Sequence, residues 1–352
     1  MIPGIDILED VALAPRTTLQ LGGRAKHYLR AKNAESVTHA LRWAERLGLP
    51  VGVLGGGSNL IISDEGFDGL VVEMAQQGIE EREEDGRALV TAQAGEDWDL
   101  FVERCVAAGL QGLECLSGIP GRVGATPIQN VGAYGQEVSE TIAQVRALHR
   151  ETLRVETLPP EACDFAYRDS AFKRDPERYV VLSVTFALRP GGAPAIRYAE
   201  LERALTGLET PSLSDVRETV IALRRRKSMV LDFADENHRS AGSFFTNPIV
   251  DAGAADAVVQ RALAEGIVSD PSEVPRWPSG DQVKLAAGWL IERAGMGKGT
   301  RHGQVGISTK HALALVHHGG GTTRELLELA ERVRAAVRDR FGVELHREPT
   351  LW

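Results

Sequence analysis

Glycine, concentrated in two dense runs, is the residue type of this 352-residue chain whose spacing points most directly to chemistry. Gly55-Gly56-Gly57-Ser58-Asn59 follows the apolar stretch Val51–Leu54, and consecutive residues without a Cβ let backbone N–H groups approach a phosphate closely. A dinucleotide fingerprint of the Rossmann kind is not complete there. Leu60 stands where its third glycine belongs, and Ile61–Gly69 offers neither the length nor the helix of a parallel crossover. Alone, the triplet reads equally well as a plain tight turn. The second run, from Gly112 to Gly135, holds Gly118, Gly121, Gly124 and Gly132 with Pro120 and Pro127 among them. Neither helix nor ladder suits such a run, and unpaired backbone groups in a folded chain either wrap a large polar ligand or form a long structural loop. Two separate glycine loops favour a diphosphate-bridged cofactor. Gly295–Thr300 resembles a P-loop only superficially, because Glu292 and Gly299 occupy positions that need Gly and Ser or Thr. His317-His318 has no carboxylate or third histidine at ligand spacing, so it reads as a pair of solvated loop histidines and no metal is expected.

These loops must be positioned by regular elements. Asn33 is a suitable N-cap for a helix with Val37, Leu41, Ala44 and Leu47 on one face, stopped by Gly48 and Pro50. Val51–Leu54, Leu70–Val72 and 88–94 read as strands, with the acidic stretch 80–86 (EEREEDG) as a solvated turn. Trp98, Phe101, Val102 and Cys105 recur at helical spacing before Gly109. Val145–Leu148, 153–158 and 179–188 suit an antiparallel sheet. Ser212 and Asp215 open a helix through Val216, Val220 and Leu223. Helices are also expected over 252–264, 284–294 and 323–341, the last with Leu326, Ala330, Val333 and Val337 as its apolar stripe. A domain boundary is placed near residue 220.

The composition bounds the function. Apolar residues make up 43% and charged residues 25%, an ordinary globular balance, and the length suits two or three compact units. Forty Lys and Arg against forty-nine Asp and Glu give a net charge of −9, the wrong sign for holding nucleic acid. Cys105, Cys115 and Cys163 are odd in number and form no C-x-x-C pair, so neither a disulfide framework nor a zinc site is indicated. The opening MIPGIDILEDVALAPR lacks a basic start and an apolar core, and no later stretch is long enough to span a bilayer. A cytoplasmic, monomeric protein without membrane insertion is the expectation.

Taken in order, several blocks resemble one family, the bacterial UDP-N-acetylenolpyruvoylglucosamine reductases. The blocks are Thr18-Leu19-Gln20-Leu21-Gly22-Gly23, the GGGSNL loop, GIPGRVGATPIQNVGAYG, YRDSAFK from Tyr167, GSFF from Gly242 and KLAAGWLI from Lys284. They run from Thr18 almost to the end of the chain. The resemblance implies an α+β fold: an FAD-binding region of the vanillyl-alcohol-oxidase (PCMH) type over residues 1–220, made of two subdomains of about 1–75 and 76–220, then an α+β substrate-binding domain over 221–352. The last residues would return to the active site. It implies FAD and NADPH as cofactors and a UDP-sugar as substrate. The flavin would lie against Gly55, Gly56, Gly57, Ser58, Asn59, Ser117, Gly118, Ile119, Pro120, Gly121, Gly124, Ala125, Gln129, Asn130 and Gly135.

The implied reaction reduces an enolpyruvyl ether to a lactyl ether, so the protein must stabilise an enolate and then protonate its α-carbon. Arg168 suits the first task, because guanidinium stays charged and forks onto a carboxylate. Ser243 resembles the family's proton donor and Glu348 its C-terminal glutamate. The usual Leu-x-Pro-Glu is replaced by Leu345-His346-Arg347-Glu348-Pro349, which leaves Glu344 as a rival, and Thr246 replaces a common lysine. Lys227, in the basic run Arg224–Lys227, resembles the diphosphate contact, Asn247 a nucleotide contact, and Tyr198 the substrate-covering tyrosine of the family's longer type. Two other readings stay open: an oxidase of a small alcohol on the same fold, which the GSFF and KLAAGWLI blocks oppose, and a nucleotide-sugar binder without catalysis, which joint retention of Arg168, Ser243 and Glu348 opposes. The purified protein is expected to be yellow, with a flavin visible spectrum that bleaches when NADPH is added. A preparation that stays colourless after reconstitution with FAD would overturn the flavoprotein reading.

Overall fold

A computed structural model describes residues 6–352. The chain divides into two compact units. The first comprises residues 6–12, Arg24–Gly57 and Phe67–Leu231; the second comprises Leu13–Gly23, Ser58–Gly66 and Asp232–Trp352.

In the first unit, one sheet runs in the order Leu8–Ala12, Arg24–Ala31, Phe67–Met74, Val51–Leu54. Its first pair is antiparallel, while Tyr28↔Val71 and Val53↔Val72 mark two parallel pairs. The parallel pairing of Val51–Leu54 with Phe67–Met74 corrects the expectation drawn from the missing crossover helix. The connection contains no helix; it passes through Ser58–Gly66, which belongs to the second unit and finds its backbone partners there. Helix Ala34–Leu47 covers this sheet, capped by the Asn33 side chain, which accepts from the Ser36 N–H at 2.8 Å, and ended by Gly48 at φ 62°. Val37, Ala40, Leu41 and Ala44 pack inward. Leu47, expected on that face, is exposed, since it is the last helical residue before the left-handed cap.

The second sheet is antiparallel, in the order Val155–Leu158, Ile142–His149, Tyr179–Pro190, Arg87–Gln93, Ile79–Glu84. Helix Trp98–Ala107 buries Trp98, Phe101, Val102 and Cys105 against it. The acidic stretch is therefore mostly strand and not turn. Glu80–Glu84 pair with Arg87–Thr91, and only Asp85 and Gly86 turn the chain. Charged side chains on both faces suit a solvated edge strand and discourage pairing with other chains. Leu153 also falls outside its expected strand, at φ 56° in the turn before Val155. Helix Leu213–Arg226 begins with the Ser212–Asp215 capping box and buries Val216, Val220 and Leu223 with Leu201 of the short helix Ala199–Ala204 and with Leu205, its C-cap. All three cysteines are buried and free, and burial pushes each thiol up to about 12.

The second unit is organised around helix Thr323–Phe341, whose Leu326, Leu329, Val333 and Val337 share a core with helices Ala252–Ala264 and Ala287–Arg293 and with Leu19, Leu21 and Ile61. Lys284 and Leu285, expected in a helix, end the strand Gln282–Leu285, since Ala286 is extended before the following helix starts. No helix is long and apolar enough to cross a membrane among the described residues.

Of the two expected solvated histidines, His317 is buried and His318 is half-buried. His317 ends the strand Leu315–His317 with 6% exposure; its Nδ1 lies 3.1 Å from the Leu19 carbonyl oxygen, and its Nε2 accepts from the Gly321 N–H at 3.1 Å. Both ring nitrogens are thus used by the neutral tautomer, and burial holds the imidazole below its usual range. Because the unfolded chain then binds the proton more readily, stability falls as pH drops below about 6.5, by at most about 1.4 kcal/mol per pH unit from this one group. His317→Gln is expected to flatten the decline of melting temperature between neutral and mildly acidic pH. Calorimetry at several pH values checks this, and an unchanged slope would contradict the assignment.

Candidate active site

The two glycine runs, unrelated by sequence distance, meet in the first unit. Strand Val51–Leu54 delivers Gly55–Gly57 to the turn that carries Gly121 and the short helix Val123–Ala125. A Cβ on Gly56 would lie 2.8 Å from the Gly121 Cα, closer than real contacts allow, whereas one on Gly55 would meet Ala125 at an ordinary 3.7 Å. Gly124 is equally constrained: its Cβ would fall 2.5 Å from that of Ala94, and its N–H donates to the Ala94 carbonyl at 3.0 Å. The bare backbone of the two segments forms a cradle that fits a diphosphate-containing cofactor. Ser58 and Asn59 continue the first run into the second unit, where the Asn59 carbonyl accepts from the Thr350 N–H at 3.1 Å.

Other predicted cofactor residues are already engaged by the protein. The Gly118 N–H donates to Asp99 at 2.6 Å, and Arg217 grips both oxygens of that carboxylate at 2.6 and 3.0 Å. The buried Ser117 hydroxyl donates to the Glu114 carbonyl at 2.7 Å, which sets the chain before Ile119 and Pro120. Asn130 is buried at φ 44°, donating to Glu137 and the Ala166 carbonyl and accepting from the Ser139 N–H. It is followed by Val131 and Gly132 rather than by a return to the cradle, and Gln129 precedes it half-buried. Gly135 is exposed at φ 79° beside Arg197.

Arg168 joins this second group. At φ 54°, it donates to the Gly132 carbonyl at 2.6 Å and to the Asn130 carbonyl at 3.4 Å, while Lys173 Nζ donates to its own carbonyl at 2.8 Å. Lys227, the C-cap of helix Leu213–Arg226, pairs with Glu200 and lies 5.6 Å from the centroid of the Tyr134 ring; Tyr198 meets Tyr134 edge-on at 5.5 Å. Lys227 and Tyr198, well separated along the chain, are thus gathered around one aromatic ring. Burial pushes the Tyr134 phenol up to about 12, so it is neutral and able to donate. Burial also pulls Arg224 down to about 10, leaving it charged at neutral pH; Nη2 donates to the Met229 carbonyl at 2.6 Å, while Nε is sealed from solvent without a hydrogen-bond partner. Tyr134 and Glu200 were not singled out by sequence reasoning, although Tyr134 lies within the recognisable NVGAYG stretch. Glu200 carries no local signal.

In the second unit, Ser243 and Glu348 are carried by adjoining segments. The Glu348 N–H donates to the Phe244 carbonyl at 2.9 Å, Phe245 bridges Arg347, and the Thr246 N–H donates to the His346 carbonyl at 3.1 Å. Buried Phe244 and Phe245 anchor one segment, and Leu345 and Pro349 the other. Glu344 instead faces helix Thr323–Phe341, 3.3 Å from Arg334 and 3.8 Å from Arg338. The Asn247 side-chain oxygen accepts from the Ala287 N–H at 3.0 Å and so serves the start of helix Ala287–Arg293. Among the described residues, no group of three His, Cys, Asp or Glu side chains is placed to hold a metal.

Residues 25–153 match the family model described as an FAD binding domain, which makes the chain a flavin-binding protein of mixed α and β structure. Residues 234–352 match the model described as the C-terminal domain of UDP-N-acetylenolpyruvoylglucosamine reductase. Curated proteins named UDP-N-acetylenolpyruvoylglucosamine reductase from Saccharopolyspora erythraea and Thermobifida fusca are 51% and 50% identical, each alignment covering 97% of this chain and 94% and 97% of the relative. The crystal structure of the reductase of that description from Thermus caldophilus superposes with a TM-score of 0.67 at 26% identity, covering 99% of both chains. The chain belongs to the UDP-N-acetylenolpyruvoylglucosamine reductase family, as its sequence blocks implied.

The cradle yields a test that does not need turnover. Gly56→Ala forces the Gly121 backbone to move, at about 1–3 kcal/mol, so flavin affinity is expected to fall by roughly tenfold or more. Gly55→Ala is expected to retain flavin as the wild type does. Titration of the flavin-stripped proteins with FAD, read by visible absorbance and fluorescence quenching, compares the two; equal affinities would remove the cradle from the cofactor site.

Proposed function

We propose that this chain reduces UDP-N-acetylglucosamine enolpyruvate to UDP-N-acetylmuramate, using NADPH, as a cytoplasmic monomer of peptidoglycan precursor synthesis. One observation carries the reading: alignment over 97% of the chain with reductases of that name, at about half identity. Residues 1–220 would serve the cofactor and 221–352 the substrate.

Gly55–Gly57 and the Gly121–Ala125 turn would hold FAD, which would supply the hydride chemistry for the enolpyruvyl β-carbon, with NADPH as the source of reducing equivalents. The protein's own part is electrostatic and acid–base. Arg168 holds the substrate carboxylate and the negative charge that spreads onto it as the enolate develops. Its aim is supported by the donations to the Gly132 and Asn130 carbonyls, which restrict where the remaining N–H groups point. Ser243 gives its hydroxyl proton to the α-carbon; a carbanion-like carbon is basic enough to take it. Glu348, on the segment hydrogen-bonded to that of Ser243, assists that transfer, and the engagement of Glu344 by Arg334 and Arg338 favours Glu348 over its rival. Lys227 meets the diphosphate, Tyr198 covers the substrate and Asn247 contacts the nucleotide, the last through its amide N–H₂ since its oxygen is already used. The pyridine nucleotide and the UDP-sugar take turns at one face, so no separate NADPH motif is needed.

Supplying the enolpyruvyl substrate with NADPH should oxidise the nicotinamide. Ser243→Ala should leave flavin reduction by NADPH close to wild type while slowing the following half-reaction by about 10²-fold or more, as stopped-flow absorbance would show. If both half-reactions proceed at wild-type rates, Ser243 is not the proton donor.

A further inference from the structure

The Lys227 ammonium already holds an anion. Glu200, the second residue of helix Ala199–Ala204, pairs with it, and the two side chains are 31% and 32% exposed. The same carboxylate lies close enough to both Tyr134 and Tyr198 to disfavour ionisation of their phenols. The helix bearing Glu200 is fixed by Leu201 and Leu205, which are buried beside Tyr134, Val216 and Val220. Exchange of the carboxylate therefore requires movement of one side chain and no displacement of the helix. Around this pair the charge is positive: Lys227 sits over the Tyr134 face, and the buried Arg224 is near enough to Tyr134 and Arg168 to feel both. One carboxylate is the counterion of the ammonium, and a phosphate bound to the same ammonium would meet it at short range as a like charge.

We propose that Glu200 is a specificity-determining residue: an internal anion that occupies the phosphate position on Lys227 and must be displaced by the diphosphate of the nucleotide-sugar. This rests on the reading of Lys227 as the diphosphate contact. A ligand with strong anionic groups and other points of attachment replaces the carboxylate, which then passes to water on its exposed side. A small free anion brings no other attachment and does not. Glu200 thereby lowers affinity for every ligand that uses Lys227 and leaves untouched any ligand that does not. An exposed or half-exposed ion pair is worth little, so the effect is modest, about fivefold in affinity.

The experiment is calorimetric titration of the flavin-loaded protein with UDP and, separately, with uridine, for the wild type, Glu200→Gln, Glu200→Asp and Lys227→Met. Glu200→Gln is expected to bind UDP about fivefold more tightly with uridine unchanged, and the charge-keeping Glu200→Asp to stay near wild type. Lys227→Met is expected to lose most of the preference for UDP over uridine. If Lys227→Met keeps that preference, the diphosphate reading of Lys227 fails. If Lys227→Met loses it but Glu200→Gln binds UDP no more tightly than wild type, the reading of Lys227 stands and the displacement proposal is overturned. A parallel change in UDP and uridine affinity in Glu200→Gln would likewise overturn it, since that is the mark of a structural role.

Discussion

The approach of Gly56 to the Gly121 backbone is the contact on which the cofactor region depends. Two chain segments can come this close only where one of them has no side chain, and the space that a Cβ would fill is filled by backbone. The parallel strand Val51–Leu54 fixes one side of this contact through its ladder with Phe67–Met74. The other side is fixed by the Gly124 and Val123 N–H groups, which donate to the Ala94 and Glu96 carbonyls. What results is a stretch of glycine backbone held on both sides by hydrogen bonds of the surrounding chain.

A run as rich in glycine as Gly112–Gly135 has little ladder of its own, and side chains from elsewhere supply the missing hydrogen bonds. Buried Glu114 accepts from the Gly112 and Ala195 N–H groups at 2.8 and 2.9 Å. Asp99, gripped by Arg217, accepts from Gly118, and Gln136 accepts from the Cys115 N–H at 3.0 Å. Buried polar groups are costly unless paired, and here the pairing gives an otherwise floppy segment one conformation. The same logic holds in the second unit. Asp64 accepts from the Thr323 and Arg324 N–H groups at 2.8 and 2.9 Å, satisfying free donors at the start of the long helix, and Leu60–Ile61 pairs in parallel with Thr350–Leu351. A nine-residue excursion, Ser58–Gly66, thus leaves the cofactor strand, completes the other unit and returns.

Local signals made much of the framework readable. Ser212 with Asp215, and Asn33, each announced a helix start because the cap bonds span only three residues. The strand Ile79–Glu84 was not readable, because a solvated edge strand shows neither alternation nor an apolar run. Burial of His317 was hidden for a different reason: its partner Leu19 lies 298 residues away.

Sequence alone determined the family, the order of the blocks and the residue types available for chemistry: Arg168, Ser243, Glu348, Lys227 and the two glycine runs. Each depends on identity or short-range spacing, which the chain carries wherever it goes. Tertiary structure alone decided which of these groups already have partners. It occupied the Gly118 N–H with Asp99, the Asn247 oxygen with Ala287 and the Lys227 ammonium with Glu200, and it tied Glu344 to the long helix. The physical reason is that a hydrogen bond or ion pair depends on distance in space, and only folding sets that distance between residues far apart along the chain.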